Sequence, residues 1–261
     1  MQAFAQACLA VLQQPEPLQK AKLAHCIQLG SSKPVPISLP LPDHPARPET
    51  LLYVTPGKAP KRKWGSEQGR LALLHAIAHI ELNAIDLAFD MIARFAFTAP
   101  IFPEWTSEFC ADWLRVGQEE AKHFGMITDL MAKRGMAYGD LPVHGGMWDA
   151  AIATRDRVDA RLAIAPLVLE ARGLDVTPPM IEKLEQVGDI QAADVLQLIY
   201  QEEIGHVAVG VTWFTRVCKK LELEPQSHFK HLLQTRYTST LKPPFNHQAR
   251  NNAGLPKSFY V

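Results

Sequence analysis

The stretches Glu119-Glu120-Ala121-Lys122-His123 and Glu202-Glu203-Ile204-Gly205-His206 repeat one pattern, Glu-x-x-His, and their surroundings decide the fold. Three apart on an α-helix, a glutamate and a histidine project from neighbouring points of one face, so each motif aims a carboxylate and an imidazole the same way. Around the first motif, Phe109, Trp113, Val116, Glu120, His123, Ile127 and Leu130 alternate spacings of four and three. That is the seam of a helix in an antiparallel bundle, and both polar residues occupy it. The same count holds for Leu196, Ile199, Glu203, His206, Gly210, Trp213 and Val217, and for Leu74, Ile77, Glu81, Ala84, Ala88, Met91 and Phe95. A carboxylate in an apolar seam costs several kcal/mol unless something cationic faces it. Few arginines or lysines lie on these seams, so bound metal ions are the expected compensation. A buried polar network without metal is the alternative.

Depth gives a second test, because ligands on paired helices meet only if they lie equally far from the connecting turn. The midpoint between Glu81 and Glu120 falls at Pro100 and Ile101, inside Ala99-Pro100-Ile101-Phe102-Pro103, where two prolines oppose helix. The midpoint between Glu170 and Glu203 falls at Gln186 and Val187, beside Gly188-Asp189, a turn signal whose aspartate can cap the next helix. Each hairpin thus sets one lone glutamate level with one Glu-x-x-His. The helix bearing Glu170 is the irregular member, with Pro166 ahead of the ligand and Gly173, Pro178 and Pro179 behind it. It is expected as a helix from about Met147 to Leu174, a joint, and a continuation at Met180–Val187.

In order, single Glu, Glu-x-x-His, single Glu, Glu-x-x-His, the chain resembles the ferritin-like di-iron carboxylate proteins. More narrowly, Gly69-Arg70 through Leu74-His75-Ala76-Ile77-Ala78-His79-Ile80-Glu81, Leu169 to Asp175, Glu203-Ile204-Gly205-His206-Val207, and Pro244-Phe245-Asn246 with Ala249-Arg250 look like an uncharacterised bacterial family of ferritin-like domains, from about Pro45 onward. The resemblance implies an all-α, ferritin-like four-helix bundle. In it Glu120 and Glu203 bridge two metals, Glu81 and Glu170 are terminal ligands, and His123 and His206 bind one metal each. It lends no substrate.

The bundle proper is expected over residues 65–221, preceded by N-terminal helices and a proline-rich strap in 1–64 and followed by a C-terminal helix and tail in 222–261. Ala3–Gln13 and Leu18–Leu29 read as short helices, Pro34 to Pro60 as an extended strap, and Ser227–Leu241 as a further helix. At 261 residues and 47% hydrophobic content a large core is possible, and a formal charge of zero provides no global field for nucleic acid or anionic membrane. No apolar run of membrane-spanning length free of charge or histidine is found, and no basic region precedes the short apolar N-terminal stretch. Cys8, Cys26, Cys110 and Cys218 are scattered without metal or redox spacing. A cytoplasmic protein is expected.

Carboxylate and imidazole ligands suit iron first and manganese second. Two ferrous ions can deliver electrons to dioxygen, so the expected function is an oxidoreductase that activates dioxygen or peroxide to oxidise or hydroxylate a small organic substrate, with an external electron donor. A modified nucleoside is a narrower substrate that the neutral charge does not favour. The alternatives are iron handling as a ferroxidase and a metal-stabilised interaction module. Of the remaining candidates, His75 and His79 are spaced to hold a metal, but packing, capping or support behind the ligands is the better reading because His79 and Glu81 point nearly opposite ways. Arg172 could steady a carboxylate or form a surface ion pair, and Tyr200, one turn before Glu203, reads as core before relay. Lys58, Lys61, Arg62 and Lys63 beside Trp64 form a basic run that is usually solvated and could contact phosphates or an acidic partner. Asn246 and Arg250 could cover the mouth of the site.

Overall fold

A computed structural model of the chain describes residues 1–30, 37–60, 62–98, 103–237 and 239–261. Among the described residues the regular elements are helices, and extended pairing is limited to one bridge, Tyr53 with Val143. The chain divides into two compact units, Met1–Trp148 and Asp149–Val261.

The first unit contains α1 (Gln2–Gln13), α2 (Pro17–Cys26), α3 (Glu67–Ile92) and α4 (Thr106–Ala132), and α5 (Gly146–Ala153) starts at its end. Ser66 caps α3 by accepting from Gly69 N–H at 3.2 Å, and α3 runs on into a π-helical turn, Ala93–Thr98. The expected turn at Ala99–Phe102 lies outside the described residues, as do Pro34 and Pro36 of the strap and Lys61 of the basic run. Helices α3 and α4 run antiparallel. A Cβ added to Gly117 would sit 2.7 Å from the Phe89 ring, so only glycine allows this approach, while further along Glu81 meets His123. Glu67–Thr98 is the one stretch among the described residues long and apolar enough to cross a membrane, yet 83% of its most apolar window is buried within the protein, as in a core helix.

The strap is pinned rather than loose. Ala46 N–H donates to Leu12 O at 2.7 Å, Trp148 Nε1–H to Asp43 O at 2.8 Å, and Val54 N–H to Val143 O at 2.8 Å. Its strongest anchor is ionic. Asp86, wholly buried on α3, takes Lys20 from α2 and Arg47 from the strap, each at 2.5 Å. Two cations on one carboxylate satisfy the acid and fix two flanking segments to the core helix.

In the second unit, α6 (Val158–Ile164) leads into a π-helical segment, Ala165–Glu170, then α7 (Ala171–Gln186), α8 (Ile190–Lys220), α9 (Pro225–Arg236), α10 (His247–Asn252) and α11 (Lys257–Tyr260). Gly188, at φ +78°, makes the α7–α8 turn and Asp189 caps α8 at Ala192 N–H, as the sequence predicts. Two expectations are corrected here. The helix expected to be continuous from Met147 breaks after Ala153, because the Thr154 hydroxyl turns back to Ala150 O and buried Arg161 donates to Thr154 Oγ1 and Ala151 O, ending α5. The joint expected at Pro178-Pro179 does not form. Pro178 has no N–H for the carbonyl of Leu174, but Asn246 Nδ2 donates to that carbonyl at 3.2 Å, so α7 continues through both prolines. The C-terminal helix stops at Arg236 rather than Leu241, and the tail holds α10 and α11.

Replacing Asp86 by Asn leaves two buried cations without a counter-charge. Denaturant unfolding should show the variant about 3–5 kcal/mol less stable, and a loss under about 1 kcal/mol would contradict the ionic anchor.

Candidate metal centre

The hydrophobic spacing of α3 and α4 turns Glu81, Glu120 and His123 inward, and all three are buried. His123 Nδ1 lies 3.2 Å from Glu81 Oε2 and 3.6 Å from Glu120 Oε2, and one donor atom from each of the three residues falls within 4.8 Å of the others. An ion with bonds of about 2.0–2.2 Å holds its donors at most about 4.4 Å apart, so both imidazole–carboxylate distances already fit one ion and a small side-chain rotation serves the rest. Two carboxylates and an imidazole, all buried, can therefore hold a metal ion.

Burial alone would push the His123 imidazole down from its ordinary 6.5, but its hydrogen bond to Glu81, the closeness of Glu120 and their two negative charges outweigh this and raise it to about 11. In the metal-free chain the ring is thus an imidazolium that stands where a metal would stand, a proton doing part of a cation's work. That raised pKa stabilises the fold fully below about pH 6.5, and the contribution is lost as pH rises through about 11.

The second unit carries the matching set on its own helices. His206 Nδ1 lies 3.3 Å from Glu203 Oε1 on α8, with His206 buried. Glu170 ends the π-helical segment and its Oε2 is buried. A Cβ on Gly210 would sit 2.3 Å from Pro166 Cβ, so α8 touches the π segment there. Four residues from that contact on each antiparallel element stand His206 and Glu170, which puts these two residues at a similar level along α8 and the π segment. The π turn, closed by Ala171 N–H to Pro166 O, absorbs the proline and resets the face on which Glu170 emerges.

The other candidates are engaged elsewhere. His79 Nδ1 pairs with Tyr138 OH at 2.7 Å and Nε2 with His144 O at 3.2 Å, and burial, with the charge of Arg47, pushes its pKa down to about 3. His75 Nε2 accepts from Gly139 N–H at 2.9 Å and stacks on Tyr138. Arg172 Nη1 donates to the carbonyls of Lys242 and Pro244. Tyr200 OH accepts from Asn246 Nδ2 at 3.0 Å. Arg250 forms a two-pronged pair with buried Asp175 at 2.8 and 2.6 Å, stacked over Tyr260. The tail residues therefore lock α7 to α8 between the ligand-bearing turns. Asp175 went unassigned from sequence because its partner lies 75 residues away.

Residues 13–261 match the family described as "Protein of unknown function (DUF455)". This chain belongs to that family. An "Uncharacterized protein" of Haemophilus influenzae is 40% identical over 229 residues, which cover 88% of this chain and 80% of that protein. No solved structure matches. The match to DUF455 spans Glu81, Glu120, His123, Glu170, Glu203 and His206 alike.

Because a metal must displace the His123 proton, apparent metal affinity should rise about ten-fold per pH unit through neutrality. Titration at several pH values checks this, and a pH-independent affinity would contradict it. Replacing His79, which faces Tyr138, should leave the metal count unchanged, and loss of a metal would contradict the assignment of helix faces.

Proposed function

We propose that the chain is a ferritin-like di-metal carboxylate protein, each half of its sequence supplying one lone glutamate and one Glu-x-x-His pair. Glu81 goes with Glu120 and His123, and Glu170 with Glu203 and His206. The observation that carries this reading is the buried Glu81–His123–Glu120 constellation, whose distances already suit an ion. The second half repeats the residue types, the spacing and the level of the two helices.

The donor set favours iron, then manganese. Bound as a ferrous pair, the metals would supply electrons for activating dioxygen or peroxide. The chain's own part is positional. Glu120 and Glu203 are proposed as the bridging carboxylates, Glu81 and Glu170 as terminal ones, and both imidazoles ligate in their neutral form, His123 after giving up its proton. Buried Ala84, Ala88, Val116 and Ile127 along the α3–α4 seam exclude water from the first set. The proposed activity is oxidation or hydroxylation of a small organic substrate with an external electron donor in the cytoplasm, where Cys8, Cys26, Cys110 and Cys218, all free, stay reduced.

Elemental analysis of purified variants tests the ligand set. Two metals per wild-type chain are expected, with both lost in Glu120→Ala or Glu203→Ala and one weakened in Glu81→Ala. Full occupancy in either bridging variant would contradict the assignment. Dioxygen consumption after chemical reduction tests the reaction class, and a fully iron-loaded chain that consumes none would be a scaffold.

A further inference from the structure

The face of α3 turned away from Glu81 lines a cleft of about 500 Å³, counted out to its open mouth. Its walls come from Ala59, Pro60 and Arg62, from α3 and from the 141–147 segment, and none of the proposed metal ligands is among them. The lining is mainly apolar, with Ala72, Ala76, Val143 and Met147 forming much of it. An apolar lining with a few convergent polar groups is the ordinary composition of a small-molecule site.

The polar groups have a definite sign. Arg62, from the basic run, stands in the lining, is exposed, and has neither ion pair nor hydrogen bond among the described residues. Lys58 and Lys63 are exposed on the same loop. Deeper in, His75 Nε2 accepts the N–H groups of Gly139 and Leu141 at 2.9 and 3.4 Å, which places the ring proton on Nδ1. Burial lowers its pKa, so the ring is a neutral donor at pH 7. His79 and Tyr138 behind it are mutually hydrogen-bonded and rigidly stacked, which fixes the wall. Asp140, whose charge reaches His75, is occupied in accepting from Ala137 N–H at 2.7 Å. The cleft thus combines an apolar floor, an inner donor and the Arg62 guanidinium in its lining, a set that complements an anion on a compact apolar body.

We propose that this cleft binds a small oxyanion, a phosphate ester or a carboxylate on an apolar or aromatic body, with the anionic group on Arg62 and the body against Ala72, Ala76, Val143 and Met147. The inference is independent of the metal reading, since the two sites use opposite faces of α3.

Calorimetric titration of the full chain with phenyl phosphate and with benzoate tests it, and whichever binds more tightly identifies the oxyanion. Saturable binding of one equivalent of at least one probe is expected, with inorganic phosphate and phenol each at least about ten-fold weaker because each supplies half of the contacts. Arg62→Gln, on an exposed loop, should weaken the probe by at least about ten-fold, and Ala76→Leu should abolish binding by filling the floor. Because carboxylates and phosphates also ligate metals, the titration is repeated on chelator-treated protein, where the same affinity is expected. No saturable binding of either probe, wild-type affinity in Arg62→Gln, or loss of binding on chelation would each overturn the proposal.

Discussion

Acids buried on apolar helix faces are the constraint around which this chain is arranged. Helix α3 alone buries Glu81, Asp86 and Asp90, and α4 adds Glu120. Each needs positive charge, and the chain supplies it in different ways. Asp86 receives Lys20 and Arg47, and Asp90 receives Arg94 one turn along, through contacts of 2.8 to 3.1 Å. These are permanent cations held by covalent chain, and they make those acids structural. Glu81 and Glu120 instead share a titratable imidazole, whose proton can be exchanged for a metal ion. The second unit shows the same division. Asp159 takes Arg157 and His228, and Asp175 takes Arg250, whereas Glu203 lies against His206. Acids paired with arginine or lysine fasten segments, and acids paired with histidine at Glu-x-x-His spacing are the chemically available ones.

What was legible in the sequence was what local periodicity controls. The alternating spacing through Glu81, Glu120 and His123 put the three side chains on facing seams, and the structure brings them together. Gly188-Asp189 was readable because a turn and its cap are decided within four residues. The approximate limits of α1 and α2 followed from the same short-range signals. The helical character of the chain was accessible for that reason, while the way it divides into compact units was not.

What was illegible depends on residues far apart in the chain. Pro178-Pro179 reads as a helix break, and only Asn246, donating to the carbonyl that Pro178 leaves open, makes a continuous α7 tolerable. Thr154 and Arg161 end α5 by side-chain bonds to its last carbonyls, a device without a composition signature. Lys20 is wholly buried against Asp86, a pairing across 66 residues that no local pattern announces. Pro166 announced irregularity near Glu170 but not its form, since a π turn depends on how α8 packs at Gly210. Arg62 of the basic run and the His75–His79 pair each read as weak features alone, and the fold sets them on one cleft.

On this reading the proton on His123 occupies the place of a metal between two buried carboxylates. Anomalous diffraction at the iron edge, from crystals of the full chain grown with ferrous iron, measures this directly. The account predicts a peak within bonding distance of His123 Nδ1 and of oxygens from Glu81 and Glu120. An ordered imidazole still hydrogen-bonded to Glu81 beside Glu120, with no anomalous density between them, would contradict it.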